Sequence, residues 1–554
     1  MKVKRRAAES GGGRLITNRY FLYLTSFFSG MSVMAIELGA SRLLAPYFSS
    51  SMIVWTVIIG VIMIALALGN VIGGRLADKD PDPARLYRRL LIVALWTAAI
   101  PFAGKYIITA VSLILAMLIK TNFLIWASFL SCILVFVFPL VLLGTISPSL
   151  IKFCVLNLEE NGKVAGELSA INTVGSILGT FLPTFVTIPT VGTAATFLIF
   201  AGILTLISLI FFLSVKKYVY HSLILLAAIL FLLVFPADNS FAFWESNLLY
   251  EGESVYNYLQ VKDTPNSVIL STNVLEGVQS IMMKTDGFTG MYFEYALAAP
   301  LIAGAPLAGG TDGAGDPEFR VLMLGLGTGT YATQVLKYFP GVVFEGVEID
   351  EKIVWLAKEF FRLPPEVAVS VDDGRAYLQN SGLYDVILVD AYQDITIPFQ
   401  MSSREFFAMA DDHLREGGVM VVNMNMRSDQ EGSLNDYLCD TIADRFPYVY
   451  TMPMPHSTNT ILLASHLSDM PGLLKARIDL LPEGSALRKL MLDLLSGLKK
   501  RGSGPLILTD DKAPVELLGM KVIDELIAGS LSYYQDILEN EGFSGLLKSM
   551  GLTK

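Results

Sequence analysis

Glycines and acidic residues follow a series of hydrophobic runs in the second half of the chain. The first run ends in a G-x-G-x-G turn formed by Gly325, Gly327 and Gly329, the next ends in Glu348, and a later one ends in Asp390. In an open α/β sheet, ligands bind in the crevice outside the carboxyl ends of the strands. The pattern therefore predicts a nucleoside-binding site with one carboxylate placed for catalysis.

These residue types suit the parts of a nucleoside. Glycines let the backbone approach a ligand closely at the start of a helix, although a glycine turn alone is also a common packing device. Glu348 follows the glycines at about the spacing of an acid that accepts the ribose hydroxyl protons, and Asp350 lies beside it. Asp373 and Gly374 follow the third strand, where an adenine amino group is usually held.

Asp390 is the candidate for proton transfer. It precedes Tyr392, Asp394 and Pro398, and the alternative is an aspartate that only caps a helix or a turn. An alkyl amine has a pKa of about 10, so at neutral pH its reaction as a nucleophile needs a base or a path for its proton. A carboxylate at the end of the fourth strand could serve as that base.

Alternating strands and helices must position these residues. The sequence predicts strands near 320–325, 342–348, 367–371, 384–389, 418–424, 446–452 and 459–464. This rhythm indicates a mostly parallel, doubly wound α/β sheet of the Rossmann-like, methyltransferase type over 318–466. A small antiparallel β unit with a short helix is predicted over 250–300. Residues 467–554 form a predicted helical extension, with helices over 467–502 and 515–550 packed on the edge of the sheet.

The first 236 residues differ in composition from the rest. They hold 18 Lys and Arg against 8 Asp and Glu, whereas the remainder holds 23 against 43. A basic tail over 1–18 precedes apolar segments over 19–236, most of them long enough to cross a bilayer. The sequence predicts a membrane domain of about seven transmembrane helices, or eight if the short stretch 106–119 adds a span. Residues 69–78 are interpreted as a helix end and a short loop.

Basic residues flank the apolar segments at four places. With seven spans, the N-terminal tail, 75–89, 152–163 and 216–217 all fall on the cytoplasmic side, and everything after Pro236 falls on the outer face. An eighth span would return the acidic part to the cytoplasm but would place 152–163 outside. The sequence therefore predicts a multi-pass protein of the cell (inner) membrane, in contact with the lipid bilayer, and leaves the side of the acidic domain open.

Two charges interrupt the first apolar segment. Glu37 and Arg42 are unfavourable in a bilayer, which predicts either a functional role or a structural ion pair, unless Arg42 reaches the interface. Gly73, Gly175 and Gly179 are expected to let helices pack closely.

The composition argues against nucleic acid as a partner, against a disulfide framework and against a bound metal. An acidic domain repels nucleic acid and suits cations such as amines. Cys132, Cys154 and Cys439 are widely spaced and the four histidines are scattered, so neither a disulfide framework nor a metal site is predicted.

Several motifs outside the glycine turn extend the pattern. They are Glu253-Ser-Val-Tyr256, Tyr292-Phe293-Glu294, Glu348-Ile-Asp350, Asp373-Gly374, Asp390 and the run from Leu508 to Glu516. With them the chain resembles the spermidine synthases, which are polyamine aminopropyltransferases, and within these the form fused to a multi-span membrane domain. The motifs cover about 250–465, and the membrane part matches by general layout.

The resemblance implies an SN2 transfer of an aminopropyl group to putrescine or a related amine, with release of methylthioadenosine. Decarboxylated S-adenosylmethionine would be the co-substrate, and no cofactor would be bound permanently. By analogy, the donor is held by Asn257, Gly325, Gly327, Gly329, Glu348, Asp350, Asp373 and Gly374. The amine is held by Tyr292, Glu294, Asp390 and Asp394, with Asp390 as the catalytic base. Related soluble enzymes form oligomers, so a homo-oligomer is possible here, and the oligomeric state stays open.

The chain departs from this family at several positions. Thr328 stands where the family's glycine loop has an aspartate that helps to hold the donor's amine. Phe293 replaces a histidine, Asn257 replaces a glutamine, and 453–456 lack the tyrosine beside the attacking amine. The donor class is therefore better supported than the acceptor. Two alternatives stay open: an S-adenosylmethionine-dependent methyltransferase on the same sheet, and a polyamine transporter or sensor whose soluble domain binds a ligand without turnover.

Overall fold

The computed structural model describes residues 18–549 except 50, 80, 120, 156–160, 236–238, 275–276, 308–317, 393–396, 426, 429 and 456. The described residues form a helical bundle in the first part of the chain. Two β-sheets with flanking helices follow in the second part.

Apolar helices make up the bundle. They are α1 (Arg19–Phe48), α2 (Met52–Lys79), α3 (Pro83–Leu118), α4 (Phe123–Cys154), α5 (Asn161–Leu182), α6 (Ile188–Val215) and α7 (Val219–Val234). A π turn lies within α4 at Ile133–Val137 and another joins α5 to α6 at Pro183–Thr187. Five helical stretches among the described residues are long and apolar enough to cross a membrane, and one of them runs from the start of α5 to the end of α6.

Glycines bring α5 into backbone contact with α1. A Cβ atom at Gly175 would lie 2.0 Å from the carbonyl oxygen of Phe27, and one at Gly179 would lie 2.1 Å from that of Met31. The contacts follow the same order along both helices, so α1 and α5 run in the same direction. The expected close packing at these glycines is confirmed, and Gly73 of α2 has the same role against the backbone of α4.

The next helix, α6, runs in the opposite direction. Phe197 packs against Gly39 of α1, whereas Phe200, further along α6, lies in a cluster with Ala35. Gly192 makes the turn with a φ of +82°, a conformation that glycine adopts readily. The stretch from α5 to α6 therefore traverses the bundle twice, and with α7 the described helices make seven passes.

Two predictions for the bundle are wrong. Residues 106–118 add no separate span but continue α3, which runs without interruption from Pro83 to Leu118. Lys105, within this apolar run, donates to the carbonyl of Ser240 (2.9 Å). Residues 69–78 are not a helix end and a loop but lie inside α2. The glycines there permit contact with α4 instead of ending the helix.

The second part of the chain begins with a small antiparallel sheet. It contains β1 (Leu248–Glu253), β2 (Tyr258–Asp263), β3 (Ser267–Ser271) and β4 (Ser280–Met283), which are adjacent in that order. The short helices α8 (Tyr292–Tyr295) and α9 (Ala298–Ile302) follow. The predicted β unit is thus confirmed.

An eight-stranded sheet forms the centre of the catalytic domain. Its strands are β5 (Arg320–Leu324), β6 (Val343–Glu348), β7 (Ala368–Val371), β8 (Tyr384–Val389), β9 (Leu414–Met424), β10 (Tyr448–Pro453), β11 (Thr460–Ser465) and β12 (Lys499–Arg501). The order is β12-β10-β11-β9-β8-β5-β6-β7, with β5 to β9 parallel and the others antiparallel. The chain order reverses between β5 and β8, so their carboxyl ends border the expected crevice.

Helices cover both faces of this sheet and enclose two hydrophobic cores. They are α10 (Thr330–Tyr338), α11 (Glu351–Phe360), α12 (Gly374–Gln379), α13 (Arg404–Asp412), α14 (Leu434–Ala443), α15 (Met470–Asp479), α16 (Ala486–Gly497) and α17 (Val515–Ser549). The predicted α/β fold and its seven strands are confirmed. The eighth strand, β12, lies where only helix was predicted.

The C-terminal helix α17 was expected on the edge of the sheet, and that prediction is incomplete. Gln535 Nε2 donates to the carbonyl of Ala116 on α3 (2.9 Å), and Glu516 accepts from the backbone N–H of Met52 on α2 (2.9 Å). The helix also packs against α14 of the catalytic domain. It therefore ties the catalytic domain to the bundle, where its apolar side chains find a second surface.

The catalytic domain rests on one end of the bundle. The N–H of Val274 donates to the carbonyl of Pro46 at the end of α1 (3.0 Å). The hydroxyl of Tyr47 donates to the backbone carbonyl of Phe241 (2.9 Å). Thr193, which follows the turn at Gly192 in α6, donates its N–H to the carboxylate of Glu253 at the end of β1. The small sheet thus lies between the bundle and the eight-stranded sheet.

Candidate active site

A cavity of about 280 Å³ lies at the carboxyl ends of β5 and β8. The small sheet, the glycine turn, α8 and the ends of β6, β8 and β9 all contribute to its walls. Among the described residues that line it, the charged side chains are Glu348, Asp372, Asp373 and Asp390, and none is Lys or Arg. The cavity is therefore suited to cations.

The glycine turn packs directly against the start of the loop after β8. Gly325 has a φ of +90°, and a Cβ atom there would lie 2.4 Å from the carbonyl oxygen of Asp390. The N–H of Asp390 in turn donates to the carbonyl of Leu324 (2.9 Å). Both the backbone angle and the close approach require glycine at this position.

Glu348 lies at the end of β6 and faces the cavity. Its carboxylate accepts from the backbone N–H groups of Gly327 (2.8 Å) and Asp350 (3.1 Å). Burial raises its pKa to about 7, although these two hydrogen bonds act in the opposite direction. The carboxylate is thus fixed in place and can accept hydrogen bonds from the hydroxyl groups of a ligand.

Asp390 follows β8 and is held by two donors. The hydroxyl of Tyr292 donates to one carboxylate oxygen (2.5 Å), and Nδ2 of Asn423 donates to the other (2.8 Å). Burial raises the pKa of Asp390 to about 7, and the negative charge of Glu348 adds to the rise. A carboxylate with such a pKa can take up a proton near neutral pH, as a general base must.

The sequence analysis missed the residues that orient Asp390 from β9 and β11. Asn423 is buried, and its amide oxygen accepts from Nδ2 of Asn459 (2.9 Å). This hydrogen bond orients the amide group of Asn423 so that its nitrogen faces Asp390. A signal was present, because Asn423 and Asn425 are polar residues that come directly after the apolar run 419–422 at the carboxyl end of β9. Gln279 and Ser280 also line the cavity and had no comparable signal.

The structure brings together most of the predicted site residues. Those that line the cavity are Asn257, Gly325, Gly327, Glu348, Asp373, Gly374, Tyr292 and Asp390. Three others do not line it: Gly329, Asp350 and Glu294. Asp394 lies outside the described residues.

Asp350, Glu294 and Gly329 support the site from behind. Asp350 caps α11 through the N–H of Lys352 (3.0 Å), and its other carboxylate oxygen accepts from Ser254 and Asn257. The buried carboxylate of Glu294 accepts from the N–H (2.8 Å) and hydroxyl (2.7 Å) of Thr289, which fixes the loop before α8. At Gly329, a Cβ atom would collide with a leucine side chain. Direct contacts of these three residues with a ligand in the cavity, as the resemblance implied, are not supported by this geometry.

Asp373 has two tasks at the start of α12. Its Oδ1 atom accepts from the N–H groups of Arg375 and Ala376, both at 2.9 Å, and so caps the helix. The same residue lines the cavity together with Gly374 and Asp372. The cap keeps the loop after β7 in place at the cavity wall.

Thr328 does not face this cavity. Its N–H donates to the hydroxyl of Ser280 (3.2 Å), while its own hydroxyl is buried and has no hydrogen-bond partner among the described residues. The side chain lines a smaller cavity of about 140 Å³ behind the glycine turn. A neutral residue therefore stands where the resemblance implied a donor-binding aspartate. Within the described part of the chain, no group of three or more His, Cys, Asp or Glu residues is arranged to hold a metal ion.

Comparisons with known proteins identify relatives of this fold and site. The sequence profile of the spermine/spermidine synthase domain matches residues 310–471. A probable polyamine aminopropyl transferase of Bifidobacterium longum is 48% identical over 365 residues, which cover 62% of this chain and 78% of that protein. A polyamine aminopropyltransferase of Vibrio vulnificus is 27% identical over 263 residues, which cover 46% of this chain and 81% of that protein.

Among solved structures, that of a probable spermidine synthase from Corynebacterium glutamicum aligns with 22% identity and a TM-score of 0.34, over 47% of this chain and 97% of that one. The family relationship itself rests on the identity to the Bifidobacterium protein over most of that protein's length. The resemblance drawn from the motifs is confirmed, and the chain belongs to the polyamine aminopropyltransferases, the enzyme family of the spermine and spermidine synthases.

Proposed function

We propose that this enzyme transfers an aminopropyl group from decarboxylated S-adenosylmethionine to putrescine or a related amine. The observation that carries the proposal is the charge of the cavity, whose described lining contains four carboxylates and no Lys or Arg. The donor has a sulfonium and an ammonium group, and the acceptor is a diamine. Opposite charges attract more strongly in a partly buried site than in bulk water.

The nucleoside part of the donor is placed by the parallel strands. Glu348 accepts the ribose hydroxyl protons, and Asp373 with Gly374 borders the adenine. The sulfonium then lies toward Asp390, because β5 and β8 are neighbours and Gly325 touches Asp390. No side chain of the described lining offers a positive charge that would repel it.

The reaction follows from this placement. The acceptor nitrogen attacks the methylene carbon bound to the sulfonium, so that a C–N bond forms and the C–S bond breaks. The electron pair of the broken C–S bond stays on sulfur, which leaves neutral methylthioadenosine. The proton lost by the amine passes to Asp390. Because the sulfonium is already a good leaving group, alignment of nitrogen and carbon contributes most of the acceleration.

The identity of the products tests this proposal. Purified protein with decarboxylated S-adenosylmethionine and putrescine should release methylthioadenosine and an aminopropylated amine in equal amounts, measured by mass spectrometry. Conversion of S-adenosylmethionine to S-adenosylhomocysteine, with no use of the decarboxylated donor, would instead support a methyltransferase. Ligand binding in calorimetry without any product would support a sensor or transporter.

Tyr292→Phe tests the protonation state of Asp390. Loss of the hydroxyl removes a hydrogen bond that stabilises the charged carboxylate, so the pKa of Asp390 rises above about 7. Because the base must be deprotonated to accept a proton, a rise of about one pKa unit should lower turnover at pH 7 by about fivefold, and turnover should recover as the pH rises. The pH dependence of turnover measures this shift. A profile identical to that of the wild type would contradict the assigned role of Tyr292.

We also propose that the bundle spans the cell membrane with the catalytic domain on the outer face. Ten basic residues stand at or near the helix ends away from the catalytic domain: Arg19, Arg75, Lys79, Arg85, Arg88, Arg89, Lys152, Lys163, Lys216 and Lys217. Short loops rich in Lys and Arg tend to remain in the cytoplasm. The continuity of α3 across 106–119 supports seven passes, and therefore opposite sides for these residues and the catalytic domain.

Labelling with a membrane-impermeant maleimide tests the orientation. The native cysteines Cys132, Cys154 and Cys439 are buried, so they give little background. An engineered Glu483→Cys on the catalytic domain should react in intact cells, whereas Gly162→Cys, at an open position in the first turn of α5, should react only after permeabilisation. The reverse pattern would place the catalytic domain in the cytoplasm.

A further inference from the structure

The loop between β1 and β2 is linked through Asp350 to Glu348, the carboxylate proposed to bind the ribose. Ser254 donates its hydroxyl proton to Oδ2 of Asp350 (2.5 Å), and Nδ2 of Asn257 donates to the same atom (3.1 Å). The N–H of Asp350 donates to Oε1 of Glu348 (3.1 Å). The position of the loop thus determines where Asp350 and Glu348 stand, and Asn257 itself lines the cavity.

Two membrane helices hold the same loop from the other side. On α1, the guanidinium of Arg42 donates to the carbonyls of Ser254 (3.2 Å) and Val255. On α6, the N–H and hydroxyl of Thr193 donate to the carboxylate of Glu253 at 2.9 Å and 2.7 Å. Burial raises the pKa of Glu253, and the Thr193 hydrogen bonds favour its charged form. The loop is therefore fixed to the bundle by two charge-assisted contacts.

A second cavity of about 200 Å³ marks this junction. It lies between α1, α2 and the loop, and Ser41 and Trp55 are among its lining residues. Tyr256, Asn257 and Thr272 line both this cavity and the active-site cavity. These three side chains thus lie between the cavity at the helices and the active-site cavity.

We propose that Arg42 of the membrane domain is a positioning residue for the donor nucleoside. Its planar guanidinium donates to two successive carbonyls, which fixes both the height and the tilt of the loop. From there, the hydroxyl of Ser254 and the N–H of Asp350 carry the constraint to Glu348. This inference rests on the proposed function, because it takes Glu348 as the ribose ligand.

The consequence is that the membrane domain contributes to donor affinity and does more than anchor the enzyme. Arg42 lies within an apolar segment, where a charge is unfavourable unless it has partners. Its partners are loop carbonyls of the catalytic domain. A lysine retains the charge but, as a single ammonium on a flexible stem, cannot reproduce the planar two-carbonyl geometry.

Nucleoside binding to the full-length protein in detergent or nanodiscs tests the proposal. The variants are Arg42→Gln, Arg42→Lys and the control Arg89→Gln, which removes another bundle arginine at the distal end, bonded to Ser149. With methylthioadenosine as the calorimetric probe, Arg42→Gln should raise Kd and the donor KM about tenfold, equivalent to about 1.4 kcal/mol. Turnover at saturation and the amine KM should stay within about twofold of the wild type, Arg42→Lys should be intermediate, and the control should be unchanged.

The outcomes separate this proposal from the proposed function. If Arg42→Gln binds methylthioadenosine as tightly as the wild type does, the positioning role is contradicted and the proposed function is not affected. Equal losses in Arg42→Gln and Arg89→Gln, with equal falls in melting temperature, also contradict it. A wild type that does not bind methylthioadenosine contradicts the proposed function. If Arg42→Gln does not fold, Thr193→Val, which loses only the hydroxyl bond to Glu253, should show a smaller rise in Kd in the same direction, and an unchanged Kd would overturn the proposal.

Discussion

Asp390→Asn is expected to lower the turnover of aminopropyl transfer by about 10²–10⁴-fold, because a positioned general base contributes about that much. An asparagine keeps the size of the side chain and can still accept from Asn423 or Tyr292, but it cannot take up the proton of the attacking amine. The binding of donor and amine should change far less. Release of methylthioadenosine under saturating conditions, followed with time, measures the loss.

The control for this variant lies on the same strand. Asp385 is the second residue of β8, at the end opposite to Asp390, and accepts from the N–H of Arg320 (2.7 Å) and from the guanidinium of Arg415 (2.7 Å). Asp385→Asn should lower thermal stability while the turnover of the folded enzyme stays near that of the wild type. Undiminished turnover in Asp390→Asn would remove Asp390 from the role of base.

Glu348→Gln is expected to raise the donor KM by about 10- to 100-fold. The carboxylate accepts two backbone N–H bonds, whereas a carboxamide directs its NH₂ group toward one of those donors and also loses its charge. Hydrogen bonds to charged groups contribute about 1.5–3 kcal/mol each, which corresponds to this range of affinity. Donor KM and the Kd of methylthioadenosine are the quantities to measure, and turnover at saturation should fall less.

Glu345 provides the matched control, since it lies on the same strand, β6. Its carboxylate pairs with Arg320 and accepts from Tyr384 (2.7 Å), away from the cavity, and these partners lower its pKa. Glu345→Gln should destabilise the fold without changing the donor KM. An unchanged donor KM in Glu348→Gln would contradict the placement of the ribose at this carboxylate.

The parallel part of the fold was predictable because its signals are local. Each of the five parallel strands β5 to β9 contains a hydrophobic run whose residues stand next to one another in sequence, and the site residues lie at or just after the carboxyl ends of these strands. Glu348 and Asp390 could be identified in this way, since a buried parallel strand delivers whatever follows it to the crevice. The three-residue strand β12 was missed because it is too short to show a period.

The contacts across the molecule were not predictable in the same way. Arg42 and Ser254 are 212 residues apart, and no pattern along the chain connects them. The sequence predicted an ion pair, a functional role or an interfacial position for Arg42, and its bonds to loop carbonyls appear only in the folded chain. Asp350 illustrates the same limit, because the motif places it beside Glu348 and cannot tell which way its side chain points.

The parallel contact between α1 and α5 has a consequence for how the enzyme is assembled. Because α1 is made first and its neighbours α5 and α6 are made much later, the bundle is complete only when most of the membrane domain has been synthesised. Arg42 and Thr193 both precede the β1–β2 loop in the chain, so the helices that carry them are synthesised before the loop that they hold. A catalytic domain expressed alone would therefore lack the two helices whose residues bond to Glu253, Ser254 and Val255.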